Sequence, residues 1–311
     1  MSLYQQKVLE GRKKFLKLTV KKEKEILSIY EQAAKDISER LSKAKLGSLN
    51  QRYLTELQKS VKQYTKELRQ ELSKSIGEGL KASSEIAANV QLSYFETMDL
   101  EEDLLSTFRK MFTQLPTEVV KTMINGSYYK DGLTLDQRLW NITKKNGKDI
   151  DRIIKANIAQ GRSAGELAKQ LDEYINPSKR LNQRKRIPGI NKSISYNSAR
   201  LARTSMTHAN TECYIQGLYM NPFCTGLKWN LSSSHYSRQV AKWGEDICDQ
   251  YAEKVFKPEE YPVQHPNCLC YSTQETIPIE QARSELIEWI KGEKNPKLDK
   301  WLNEYGKEFG I

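Results

Sequence analysis

Apolar residues recur three and four positions apart through most of the first half of the chain. Over residues 2–46, Leu27, Tyr30, Ala34, Ile37 and Leu41 fall on one seam, with Lys and Glu elsewhere, which predicts one long amphipathic helix. Gly47 stops it and Ser48 is placed to cap a new start. Leu54, Leu57, Val61, Tyr64 and Leu68 repeat the alternation, so the pair reads as an antiparallel helical hairpin. Such seams dock on each other or on a partner helix. Gly77 and Gly79 loosen the chain before a third helical stretch, Leu80 to Met98. Acids from Asp99 to Asp103 open another, which runs to Phe112 ahead of Pro116. A further helix spans Thr117 to Asn125 and ends at Gly126.

The same reading continues past the turn-rich segment 126–133. Thr134 caps a helix carrying Leu135, Leu139 and Trp140. Ile150, Ile153, Ile154 and Ile158 mark the next, stopped by Gly161, and Ser163 caps one through Leu167, Leu171 and Ile175. Residues 176–197 contain Lys179, Arg180, Arg184, Lys185, Arg186 and Lys192 and no acid, and Pro177, Pro188 and Gly189 make them a loop. Two readings fit this loop: a contact with a DNA backbone, or an interdomain linker. A helix from Ser198 places Ala199, Ala202, Met206, Ala209, Cys213 and Leu218 on much of one face, with His208 and Cys213 read as packed core groups. Alternation over 226–231 predicts a strand, and 269–273 a second. Pro278 opens an amphipathic helix to Gly292, and 297–309 carries Trp301 and Tyr305 four apart.

The fold class expected is therefore mainly α, with a long helical N-terminal half followed by a small α+β C-terminal domain. Its divisions are a helical arm (1–125), a small helical segment (126–176), a basic linker (177–197) and the C-terminal domain (198–311).

Composition sharpens this picture. Only 38% of the 311 residues are hydrophobic and 29% are charged, which suits elongated helices better than one large core. A net charge of +11 favours a polyanionic partner such as nucleic acid. No apolar run approaches the ~20 residues of a membrane span, and the charged N-terminus lacks a signal-peptide core. The five cysteines are then expected in a reducing compartment, where clustered Cys and His point to metal before disulfide.

Candidate chemistry concentrates between Trp229 and Tyr271, which hold three of the five cysteines and two of the three histidines. Cys248 and the string His265-Pro266-Asn267-Cys268-Leu269-Cys270 supply sulfur and imidazole from two short segments. Four such ligands, Cys248, His265, Cys268 and Cys270, would close a tetrahedral structural zinc site. The other reading is small cysteines packed under a loop, with His265 bonded to backbone. His235 is a spare ligand or a turn residue.

The same residues carry a resemblance. Trp229, Leu231, Ser232, Ser234 and His235, then Asp246, Cys248, Asp249, Tyr251 and Ala252, then Pro262, His265, Pro266, Cys268 and Cys270 resemble the C-terminal signature of the phage head morphogenesis proteins. These are minor head proteins similar to the F protein of phage Mu. The string Ala199-Arg200-Leu201-Ala202-Arg203-Thr204, and DGLTLDQRLW with the helix after it, resemble other parts of that family. The resemblance covers about residues 117–276. It implies a non-enzymatic minor capsid protein of a tailed phage or prophage, in the head interior of the virion and in the host cytoplasm during assembly. The implied partners are the portal protein, capsid or scaffolding protein, and double-stranded DNA bound without sequence preference. The basic loop, Lys179 to Lys192, would supply the phosphate contacts. The alternative is a metal-dependent nuclease built from His235, Asp246, Asp249 and His265. No P-loop, G-x-S-x-G or dinucleotide fingerprint is present.

Overall fold

The computed structural model describes residues 2–42, 51–160, 162, 164–182 and 194–309. The chain is mainly helical: α1 Leu3–Ser42, α2 Gln51–Glu96, α3 Glu102–Asn125, α4 Leu135–Ala159, α5 Ala164–Ile175 and α6 Tyr196–Met220. Then follow β1 Cys224–Asn230, a π-helical turn Tyr236–Val240, α7 Ala241–Trp243, α8 Ile247–Tyr251, β2 Val255–Phe256, β3 Tyr271–Thr276, α9 Ile279–Ile290 and α10 Pro296–Phe309. The three strands form one antiparallel sheet in the order β2-β1-β3. The long helical N-terminal region and the small sheet follow the hydrophobic pattern, and the Cys/His cluster beside the sheet follows the residue types. The turn expected at Gly47-Ser48, the cap at Ser163 and the stop at Gly161 lie outside the described residues.

The helices are longer than the local breakers suggested. Gly77 and Gly79 sit inside the 46-residue α2. Each glycine costs about 1 kcal/mol in a helix, and the unbroken buried row through Leu72, Ile76, Leu80, Ala87 and Val90 offsets that. Pro116 lies inside α3, where Phe108, Met111, Phe112, Leu115, Val119 and Met123 keep a single buried face on both sides of it. The two helices expected between Thr134 and Ile158 are one, α4, whose N-terminus has a capping box between Thr134 and Gln137.

The molecule divides into two compact units that interleave segments of sequence. The first comprises 1–19, 79–123 and 203–311, and the second comprises 20–78 and 124–202. This differs from the sequential division at 125, 176 and 197. Segments of the first helices belong to each unit, and their side chains contribute to both cores.

In the first unit, Phe95 stacks on Phe108 with ring centroids 3.7 Å apart, and Phe108 lies 5.8 Å from Trp301 of α10. Tyr94 Oη donates to the Ile277 carbonyl at 2.8 Å, and Gln91 Nε2 to that of Cys213 at 3.1 Å. Gln274 of β3 donates to Gln91 Oε1 at 2.6 Å. Gly217 makes room for this: a Cβ there would meet Gln91 Oε1 at 2.1 Å. In the second unit, α1 runs antiparallel to α2, with Arg40 paired to Glu67 at 2.7 Å and Lys22 to Glu78 at 2.9 Å. Its core closes over Tyr30, whose hydroxyl meets Ser198 Oγ at 2.8 Å and accepts from Asn146 Nδ2 at 3.1 Å.

Candidate metal centre

The centre lies at the mouth of the small sheet, built by the segment after β1, by α8 and by the loop that enters β3. Trp229 of β1 is fully buried and packs against Tyr251 and Tyr261, with centroids 5.4 and 5.5 Å away. This aromatic floor fixes where α8 and the 261–270 loop pass. The short α8 is nucleated by a capping box: Asp246 accepts from the Cys248 N–H at 2.8 Å, and Asp249 accepts from the Asp246 N–H at 2.8 Å. Cys248 is thereby held at the first turn, pointing inward.

Three thiols converge there. Cys248, Cys268 and Cys270 are all buried, and their sulfurs lie within 4.8 Å of one another. Cys248 Sγ is 3.6 Å from Cys268 Sγ, and the Cys270 N–H donates to Cys268 Sγ at 3.3 Å. Zn–S bonds of about 2.3 Å in a tetrahedron put sulfurs about 3.8 Å apart, so the 3.6 Å pair already has the spacing of two ligands on one ion. Hydrogen bonds from the Cys248 and Cys268 thiols pull Cys270 below the ordinary thiol range, while Cys268 and Cys270 push Cys248 up.

Two imidazoles flank the three thiols, with different hydrogen-bond roles. His235 is buried; its Nε2 is 3.0 Å from Asp249 Oδ2 and its Nδ1 3.7 Å from Cys270 Sγ. Burial works against charge on His235, but the Asp249 hydrogen bond and the neighbouring Cys270 outweigh it and raise its pKa. Burial likewise works against the Asp249 charge; the Asp246 N–H and His235 outweigh it, and its pKa is lowered. His265 differs. Its Nδ1 is 3.1 Å from the Pro266 carbonyl, which can only accept. Its Nε2 is buried with no hydrogen-bond partner, yet it lies 3.3 Å from Asp246 Oδ2. An imidazole nitrogen and a carboxylate oxygen this close are two ligand donors that one cation could share. Asp246, Cys248 and His265 form a second set within ligand distance, and His235, Asp246 and Asp249 a third. This Cys/His/Asp group can hold a metal ion.

The loop carrying the ligands is fastened from several sides. Asn267 has a left-handed φ of 71°; its N–H donates to Thr204 Oγ1 at 2.9 Å and its side chain accepts from Arg203. Arg238 donates to the Asn267 carbonyl at 3.2 Å and Thr207 to that of Cys268 at 3.1 Å. From α1, Arg12 donates to the Leu269 carbonyl between the two cysteines, with its guanidinium 4.3 Å over the Tyr271 ring. A cleft of about 390 Å³ opens over the cluster, lined in part by Arg238, Lys242, Trp243 and His265.

Of the four residues singled out as zinc ligands, Cys248, Cys268 and Cys270 form one set within ligand distance, while His265 shares a set with Cys248 and Asp246; of the nuclease alternative, His235, Asp246 and Asp249 form a set, with His265 Nε2 3.3 Å from Asp246 Oδ2. Of the basic-loop residues, Lys179 is paired with Asp172, whereas the Arg180 side chain and Arg184, Lys185, Arg186 and Lys192 lie outside the described residues. Sequence reasoning missed the cap made by Asp246 and Asp249, although acids three apart beside a cysteine are a visible sign of one. It had no sign at all of Arg12, which is 257 residues distant from Leu269. Comparison of the chain with protein-family models, with curated proteins and with solved structures gives no match.

Proposed function

We propose that the chain is a minor head protein of a tailed phage or prophage, a structural protein with a metal-stapled fold that associates with the portal during head assembly and touches packaged DNA through its phosphates. The observation that carries the reading is convergence. Residues of separate strings in the family resemblance, Arg203 and Thr204 on α6, Cys248 and Asp249 on α8, and His265 to Cys270 on the loop, meet at one centre. Residues that act together in one site are expected to meet in this way.

Within this reading the ion is zinc, held by Cys248, Cys268, Cys270 and His265 Nε2. Such an ion would tie α8 to the loop entering β3 and so stabilise the fold. His235 hydrogen-bonds to Cys270 and is itself oriented by Asp249. The nuclease alternative needs free carboxylates around a solvent-open metal. Here Asp246 Oδ1 is engaged by the Cys248 N–H and Asp249 Oδ2 by the Asp246 N–H and His235, so these atoms serve as caps and braces.

Co-expression with a phage portal protein encoded beside it tests the class. The proposal expects the two to co-purify and expects no DNA cleavage with magnesium, manganese or zinc. Metal-dependent cleavage that is lost in Asp246→Asn would instead establish the nuclease.

A further inference from the structure

The second unit carries a groove of about 670 Å³ between α2 and α4, far in sequence from the metal centre. Its lining includes Lys62, Lys66 and Arg69 on α2 and Lys144 and Lys148 on α4, against one carboxylate, Asp151. Arg69 is 3.4 Å from Asp136, and Asp151 is paired with Lys155 at 2.6 Å. Lys62, Lys66, Lys144 and Lys148 are exposed and have no carboxylate within salt-bridge distance among the described residues. Four adjacent ammonium groups with no ion pair of their own repel one another, which a solvated face would ordinarily relieve with more interspersed acids.

The arrangement is regular. Lys62 and Lys66, like Lys144 and Lys148, are four apart on a helix, so each pair is spaced about 6 Å along its axis. Gly147 lets the two helices approach, since a Cβ there would meet Thr65 Cγ2 at 2.8 Å. The result is two short rails of positive charge on either side of a narrow floor. Trp140 stands in the lining, 45% exposed, with Lys144 Nζ 4.1 Å from its ring centre.

From this geometry we infer that the α2–α4 groove is a nucleic-acid site that takes the sugar–phosphate backbone of one strand between its lysine rails. Phosphates supply regularly spaced anions for both rails, and Trp140 supplies an aromatic face on which an unpaired base can stack. An acidic polypeptide could match the charge but would leave that aromatic face unused. The site is separate from the Lys179–Lys192 loop and stands whether or not the chain is a head protein.

Fluorescence anisotropy of the full chain with a labelled oligonucleotide, single-stranded in one arm and duplex in the other, tests this across a salt series. Converting Lys62, Lys66, Lys144 and Lys148 together to Gln should weaken binding at least about tenfold. The slope of log affinity against log salt should fall by up to about 0.7 per lysine on single strands or about 0.9 on duplex. The arm with the larger loss identifies the form of the strand. Amine acylation of the wild-type protein provides a second readout, with bound oligonucleotide protecting these four lysines first. The inference is overturned if the slope is unchanged in the Gln variant, if protection falls elsewhere, or if polyglutamate displaces the oligonucleotide at equal charge concentration. It is also overturned if only the variant R184E/K185E/R186E loses binding.

Discussion

At the scale of single residues, the centre separates groups that would touch the ion from groups that hold those groups in place. Cys270→Ser removes one sulfur of the buried trio, so it should abolish zinc retention and lower the melting temperature, as calorimetry with and without added zinc would record. His265→Ala should release the metal as fully. Asp249→Asn should act more mildly. It leaves every proposed ligand in place but loosens His235 behind Cys270, and outer partners of this kind contribute roughly 10–100-fold in metal affinity. Competition with a chromophoric chelator measures all three. Equal loss in Asp249→Asn and Cys270→Ser would mean that Asp249 is itself a ligand.

Among the elements, the ligand loop depends on neighbours that are remote in sequence. Arg12 of α1 satisfies the Leu269 carbonyl and stacks on Tyr271. Arg12→Ala should therefore cost about 1–3 kcal/mol of stability, the usual cost of leaving a buried group unpaired, in a denaturant melt of zinc-loaded protein. Gly217→Leu should destabilise by a similar amount, because its side chain has to displace Gln91 from hydrogen bonds to Cys213 and Gln274.

What the sequence revealed follows the same line between local and distant causes. The seams Tyr30–Ala34–Ile37 and Leu57–Val61–Tyr64–Leu68 are buried as their spacing foretold, since periodicity is a local property. The thiols and His265 were legible because ligand chemistry is written in residue type. Gly79 and Pro116 misled because burial across both sides of each outweighs a local penalty. The two-residue β2 is too short to leave a pattern, and it exists through its pairing with Leu227 and Lys228. Arg12 and the lysine rails are brought into place by tertiary contact alone, which no window along the chain contains.

For the whole molecule, the interleaved units change what a fragment can do. Residues 198–311 rely on Arg12, Gln91 and Tyr94 to close their polar groups and on Phe95 and Phe108 to cover Trp301. The fragment expressed alone should consequently melt without cooperativity, and a sharp, protein-like transition would show that the C-terminal segment is self-sufficient after all. The zinc proposed to tie this unit together can be counted by elemental analysis of the full chain purified without chelator. Close to one zinc per chain is expected, with a fall in melting temperature when that zinc is stripped and recovery when it is restored. Metal-free protein that melts at the same temperature as the zinc-treated sample would contradict it.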